Sequence, residues 1–181
     1  MKNRTPPEVI DEYLVLRGQA GEPEAFRRLV ELWQPRLLSH AFRYTRNADA
    51  ARDITQESWM AIVKGLSRLE DPSRFRPWAY RIVANKARDW IRSERARRRA
   101  ADGAPQLDVV PEFAATADDV ARVRYGIARL EPDQRLILSW FYLEDMPLRD
   151  IADALSIPVG TVKSRLFHAR AALRARLSER V

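Results

Sequence analysis

Cysteine is absent from the 181 residues, which excludes disulfides, thiolate zinc sites and cysteine nucleophiles. Histidine occurs only as His40 and His168, so far apart in sequence that a metal site is not expected. No apolar run approaches the ~20 residues that cross a bilayer. Met1-Lys-Asn-Arg-Thr-Pro-Pro7 places no apolar stretch behind its basic residues, so no signal peptide is expected either. The six glycines are scattered and form no phosphate-cradling loop. Strand-like alternation is scarce as well. These absences point to a soluble, cytoplasmic chain with no cofactor, no metal and no insertion into a membrane.

What is present is positive charge. Thirty-two lysines and arginines face 25 acids, for a formal net charge of +7 and a pI near 10.2. A balance of that sign fits a polyanion, and nucleic acid is the first class to consider.

Apolar residues recur at three- and four-residue spacing over most of the chain. Thr5-Pro-Pro-Glu8 reads as a helix start, with a capping threonine, proline in the first turn and glutamate three residues on. That helix runs to about Arg17 and is punctuated by Gly18 and Gly21. Phe26, Leu29, Val30, Trp33 and Leu37 form one stripe of a second helix, which Pro35 is expected to bend or interrupt. A third helix, from about Asp49 to Leu69, is expected to bury Ile54, Trp59, Ile62, Val63 and Leu66. Asp71-Pro72-Ser73 reads as a turn, and a fourth helix runs from about Arg76 to Arg99. From Ala100 to Asp118 the period is lost, and these nineteen residues could span roughly 60 Å if extended. The expected fold class is all-α: two small helical domains, residues 1–99 and 119–181, joined by a flexible linker at 100–118.

Within the second block, Leu148 to Leu155 predicts a short helix with Ile151, Ala152 and Leu155 inward, and Ser156-Ile-Pro158 a tight break. On the helix that follows from Val159, the residues Val162, Leu166, Ala169, Leu173 and Leu177 make the core face. Thr161, Ser164, Arg165 and His168 fall at i, i+3, i+4 and i+7 near its N-terminal end, where a helix-turn-helix presents side chains to base edges. Lys163, Arg170 and Arg174 lie to the side, placed for phosphate. Trp140, Phe141 and Tyr142, in the preceding helix, are expected to pack beneath these two helices.

Ile157-Pro-Val-Gly-Thr-Val-Lys-Ser-Arg-Leu-Phe-His-Ala-Arg170 closely resembles the recognition helix of the bacterial extracytoplasmic-function (ECF) sigma factors. Leu130-Glu-Pro-Asp-Gln-Arg-Leu-Ile-Leu138 is similar to the opening of their C-terminal domain. Upstream, Asp49-Ala-Ala-Arg-Asp-Ile-Thr-Gln-Glu-Ser-Trp59 resembles their polymerase-binding helix. Phe75-Arg-Pro-Trp-Ala-Tyr-Arg-Ile-Val-Ala-Asn85, with Asp89 and Arg92, resembles their promoter-melting segment. The motifs stand in the family's order and cover nearly all the chain from Gly18 onward. The resemblance implies that the first domain binds core RNA polymerase and captures the opened minus-ten strand, while the second reads the minus-35 duplex. It implies no catalysis by the chain itself, promoter DNA and core RNA polymerase as partners, and an anti-sigma factor as regulator. It further implies none of the extra domains of the large housekeeping sigma factors and no C-terminal sensory domain.

The matched residues have chemistry that fits. Asp53, Gln56, Glu57 and Met60 share one face of their helix, a mixed polar surface with one adaptable thioether, and are the candidates for polymerase binding. Arg81, Asn85, Arg88 and Arg92 share a face of the melting helix, with Phe75, Trp78 and Tyr80 clustered at its start. Aromatics, arginines and an amide are what unpaired bases require. Phe75, Trp78, Arg81, Asn85, Arg88 and Arg92 are therefore the minus-ten candidates, although at least one of Trp78 and Tyr80 is expected to pack the domain. Trp33, Trp59 and Trp90 are expected in the core. Arg95, Arg97, Arg98 and Arg99 suit either phosphate contact or a solvated helix end. Thr161, Lys163, Ser164, Arg165 and His168 are the minus-35 candidates. The chain departs from the family pattern at Met146-Pro147, where relatives often carry a capping serine or threonine. It departs again at Ser156, where glycine is common, and at His168, where arginine is common. The nearest alternative is a helix-turn-helix regulator that is not a polymerase subunit; it would need a phosphoacceptor α/β domain or a ligand pocket upstream, and residues 1–99 show no such alternation of strands and helices. A nucleic-acid-modifying enzyme lacks its paired carboxylates or nucleophile.

Overall fold

The computed structural model describes residues 6–100, 123, 126–127 and 129–178. Among them there are seven α-helices, one 3-10 turn and no strand. The helices are α1 (Pro6–Gln19), α2 (Pro23–Thr45), α3 (Ala48–Leu66), α4 (Phe75–Ala100), α5 (Pro132–Tyr142), α6 (Leu148–Leu155) and α7 (Val159–Ser178). The chain divides into two compact units between Asp89 and Trp90, a point inside α4. The expected linker at 100–118 lies outside the described residues except for Ala100, and so does the capping Thr5. No described helix is long and apolar enough to cross a membrane.

In the first unit α2 packs against both α1 and α3. The core joins Leu14 and Val15 of α1 to Leu29, Trp33 and Leu37 of α2, Ile54, Ile62 and Leu66 of α3, and Phe75, Tyr80 and Val83 of α4. Each such side chain contributes roughly 1.5–3 kcal/mol on burial. Gly21, at φ +84, makes the turn between α1 and α2. Gln19 then ties α1 to the end of α3, its Nε2 donating to the carbonyls of Leu66 (2.9 Å) and Leu69 (2.7 Å). The Leu66 carbonyl, at the end of α3, also accepts from the Leu69 N–H at 3.1 Å, so the amide locks the turn that follows the helix. The Trp33 indole donates to Asp11 Oδ1 at 2.9 Å, fixing α1 on α2.

Three sequence expectations change here. Of the bend or interruption expected at Pro35, the interruption does not occur, since α2 is continuous from Pro23 to Thr45. Proline costs a helix ~3 kcal/mol, but Trp33 and Leu37 are buried on either side of it while Pro35 itself is exposed. Burial on both sides of the proline outweighs the lost hydrogen bond. Second, Val63 is 56% exposed and Trp59 only partly buried; the buried face of α3 runs instead through Ala51, Ile54, Thr55, Ser58, Ile62 and Leu66. Third, α3 begins at Ala48, one residue early, because Asn47 Oδ1 accepts from the Ala50 N–H at 2.9 Å.

In the second unit α7 packs on α5 and α6. Leu136, Ile137 and Trp140 of α5, Met146 of the loop, Ile151 of α6 and Val162, Leu166 and Ala169 of α7 form its core. Leu173 and Leu177 continue the stripe as partly buried residues. Trp140 is core as expected, whereas Phe141 is partly buried and Tyr142 is 53% exposed.

Candidate polymerase and nucleic-acid interfaces

The four residues expected to meet the polymerase lie together on α3, and all are exposed. Glu57 is already engaged, accepting from Lys86 Nζ of α4 at 2.9 Å. Gln56 and Met60 border an open groove between α2 and α3. From α2 the groove takes Phe26, Val30 and Gln34, and from α3 it takes Arg52, Trp59 and Val63 in addition. Phe26 meets Trp59 edge to face at 6.1 Å, and the Trp59 indole donates to Gln34 Oε1. The surface is thus an apolar trough with a polar margin, the composition of a protein-binding patch. Sequence reading had assigned Trp59 and Val63 to the core and Phe26 and Val30 to the apolar stripe of α2. The signal that could have corrected it was spacing, because Val63 stands three residues from Met60 and seven from Gln56, on their face.

The minus-ten candidates separate into two sets. Phe75 is 1% exposed, with its ring edge-on to Trp33 at a centroid distance of 5.1 Å, so no face of it is open to a base. Tyr80 is equally buried, against Trp33 at 5.6 Å and His40 at 4.7 Å. Trp78 is partly buried and tilts against Phe75 at 6.1 Å. Arg81, Asn85 and Arg92 are exposed, and Arg88 is partly so. The aromatics at the start of α4 hold it in place; the polar residues beyond them are what it presents. Asp71 sets the entry, its carboxylate accepting from the Ser73 N–H at 2.9 Å. Downstream, Arg97 and Arg98 both pair with Glu94, at 2.8 and 3.1 Å, as a solvated helix end would, and Trp90 is partly buried rather than core.

His40, beneath α4, is fully buried, and desolvation pulls its pKa down to about 3, with the Arg43 and Arg88 charges acting in the same direction. It is neutral at physiological pH and belongs to the core.

In the second unit α6 and α7 meet at the expected break. Ser156 adopts a left-handed conformation, φ 55 and ψ 45. Its N–H donates to the Asp153 carbonyl at 3.2 Å and that of Ile157 to the Ala152 carbonyl at 3.0 Å, a Schellman closure. The N-terminus of α6 has no side-chain cap, Pro147 occupying that position. On α7 Lys163, Ser164, Arg165 and His168 are exposed and Thr161 partly so, while Val162, Leu166 and Ala169 are buried behind them. Phe167 was overlooked. It is 67% exposed, with its ring 5.6 Å from that of His168. A large apolar side chain displayed on a helix otherwise dressed in polar groups is itself a signal. Arg170 lies over both Phe141 (5.6 Å) and Tyr142 (5.5 Å).

Comparison with known proteins matches both units. Residues 29–98 match the family model of sigma-70 region 2 and residues 121–173 that of sigma-70 region 4. The RNA polymerase sigma-H factor of Pseudomonas aeruginosa is 32% identical over 176 residues, covering 90% of this chain and 91% of that one. The ECF RNA polymerase sigma-E factor of Salmonella typhimurium is 29% identical over 179 residues, 92% of this chain and 93% of that. Among solved structures, CnrH in complex with the cytosolic domain of CnrY superposes with a TM-score of 0.70 at 26% identity, over 95% of this chain and 99% of that one. The sigma factor RpoE of Bartonella quintana, in complex with the anti-sigma factor NepR, has a TM-score of 0.71 over 86% of this chain and 98% of that one; at 23% identity it bears on the fold alone. Two sigma-70 regions in their proper order, and relatives matched nearly end to end, make this chain a member of the ECF class of RNA polymerase sigma factors.

Proposed function

We propose how an ECF sigma factor of this sequence divides its work among its residues. Residues 1–99 bind core RNA polymerase and capture the melted minus-ten strand, and residues 119–181 read the minus-35 duplex. The groove between α2 and α3 carries the first assignment: its apolar floor of Phe26, Trp59, Met60 and Val63, with Gln34, Arg52 and Gln56 at the margin, suits a helix of the polymerase laid along it, and Asp53 is exposed on α3 nearby in sequence. Arg81, Asn85, Arg88 and Arg92 take the unpaired strand, the arginines its backbone and the amide a base edge. On α7, Thr161, Ser164, Arg165 and His168 face the major groove, Phe167 adds an apolar surface of the kind that meets a thymine methyl, and Lys163 takes phosphate. The chain performs no chemistry itself, since nucleotidyl transfer belongs to the polymerase, and it works in the cytoplasm where that enzyme is. CnrH was solved with the cytosolic domain of CnrY bound, and a protein regulator of the anti-sigma kind is proposed for this chain as well.

The test is transcription. Purified chain added to core polymerase should give run-off product from a promoter drawn from the genes its overproduction induces, and none without it. A chain that bound that promoter yet neither joined the polymerase nor supported a transcript would be a regulator of another kind.

A further inference from the structure

Gly65 stands in the last turn of α3, one residue before its end. Its backbone does not require glycine, since Gly21 is the one described glycine with positive φ. Alanine would favour the helix there. Space accounts for the glycine instead. A Cβ at this position would lie 2.8 Å from Cζ2 and 3.3 Å from Cη2 of Trp78, so the indole of α4 rests directly on the α3 backbone. Behind it Trp78 leans on Phe75, and Phe75 is locked edge-on against Trp33 of α2. The first turn of α4 is therefore held from two sides, by an aromatic stack on α2 and by a bare backbone seat on α3. Arg81 comes one turn after Trp78 and Asn85 one turn later, both exposed.

We propose that Gly65 is a positioning residue for strand capture: its missing side chain is the seat of the Trp78 indole, and that seat sets where Arg81 and Asn85 stand. This rests on the reading of α4 as the strand-capturing helix. The competing account makes Trp78 itself a stacking platform and Gly65 incidental.

The experiment uses the full chain with core polymerase and compares Gly65→Ala, Trp78→Phe and the double variant, with Asn85→Ala as reference. Thermal stability, polymerase affinity by titration and promoter opening by permanganate reactivity are each measured. Gly65→Ala is expected to reduce opening about tenfold, the scale of an overpacked contact, while polymerase affinity holds. Trp78→Phe lacks the two ring atoms that a Cβ would strike, and in the Gly65→Ala background it should restore opening. A general weakening of α3 would not be repaired by trimming a ring. The inference is overturned if Gly65→Ala opens the promoter like wild type beside a defective Asn85→Ala, or if the double variant opens no better than Gly65→Ala. Should Gly65→Ala alone not fold, a double variant that folds and opens supports the seat, and one that does not overturns it. Normal opening by Asn85→Ala would remove the strand-capture reading and this inference with it.

Discussion

Ser156 holds a left-handed backbone at φ 55 in the turn of the helix-turn-helix, a conformation that costs a residue with a Cβ roughly 1–2 kcal/mol. Ser156→Gly should therefore raise the stability of the C-terminal unit by about 1 kcal/mol, and Ser156→Val should lower it; chemical denaturation of the two variants checks both signs. His40 gives a second single-residue prediction. Its folded pKa, about 3, lies below the ordinary 6.5 because burial excludes the charged ring. The unfolded chain takes up a proton below pH 6.5 that the folded one refuses, so stability present above that pH is lost as the solution is acidified toward pH 3, by up to ~1.4 kcal/mol per pH unit. His40→Gln should flatten that slope in urea melts between about pH 7 and 5. An equal slope in the variant would place the acid sensitivity elsewhere. Neither His40's burial nor its neighbours could be inferred from a lone histidine in a helical stripe, which reads the same whether core or surface.

At the scale of elements, helix existence was legible and helix faces were less so. Periodicity located the described helices, though α3 ends at Leu66 rather than near Leu69. Where reading failed, as at Trp59, Val63, Phe75 and Tyr142, the question was which side of an amphipathic helix meets its neighbour. An apolar residue at the edge of a stripe satisfies the period whether it ends inside or out. The α2–α3 groove is the consequence, and it extends the polymerase prediction. Asp53→Ala with Gln56→Ala should weaken association with core polymerase while helicity and melting temperature stay near wild type. Val63→Asp should weaken it more, because a charge placed in an apolar trough loses its hydration when the partner seats. Fluorescence titration of the variants with core polymerase decides, and wild-type affinity in both would remove the groove from the interface.

Across the whole molecule the two units make different demands on DNA, and their defects should separate. Asn85→Ala should impair promoter opening, seen as lost permanganate reactivity at minus ten, and spare binding to minus-35 duplex. Arg165→Ala or His168→Ala should instead relax base preference in that duplex, a guanine-edge contact being worth ~1–3 kcal/mol of discrimination. Lys163→Ala should weaken all sequences alike and reduce the salt slope by about one counterion. Duplexes with single substitutions, titrated at two salt concentrations, distinguish these; an Arg165 variant with wild-type base preference but lower affinity would reassign that arginine to phosphate. The sequence by itself determined the helical class, the two units, the helix-turn-helix and the family, because these rest on local period, turn chemistry and short motifs read along the chain. Tertiary structure alone decided that α2 runs through Pro35, that Phe75 and Tyr80 are core while Trp59 and Val63 line a groove, and that Gly65 is a seat for Trp78. Each of those depends on which atoms from distant parts of the chain come to share one space, and no local pattern carries that information.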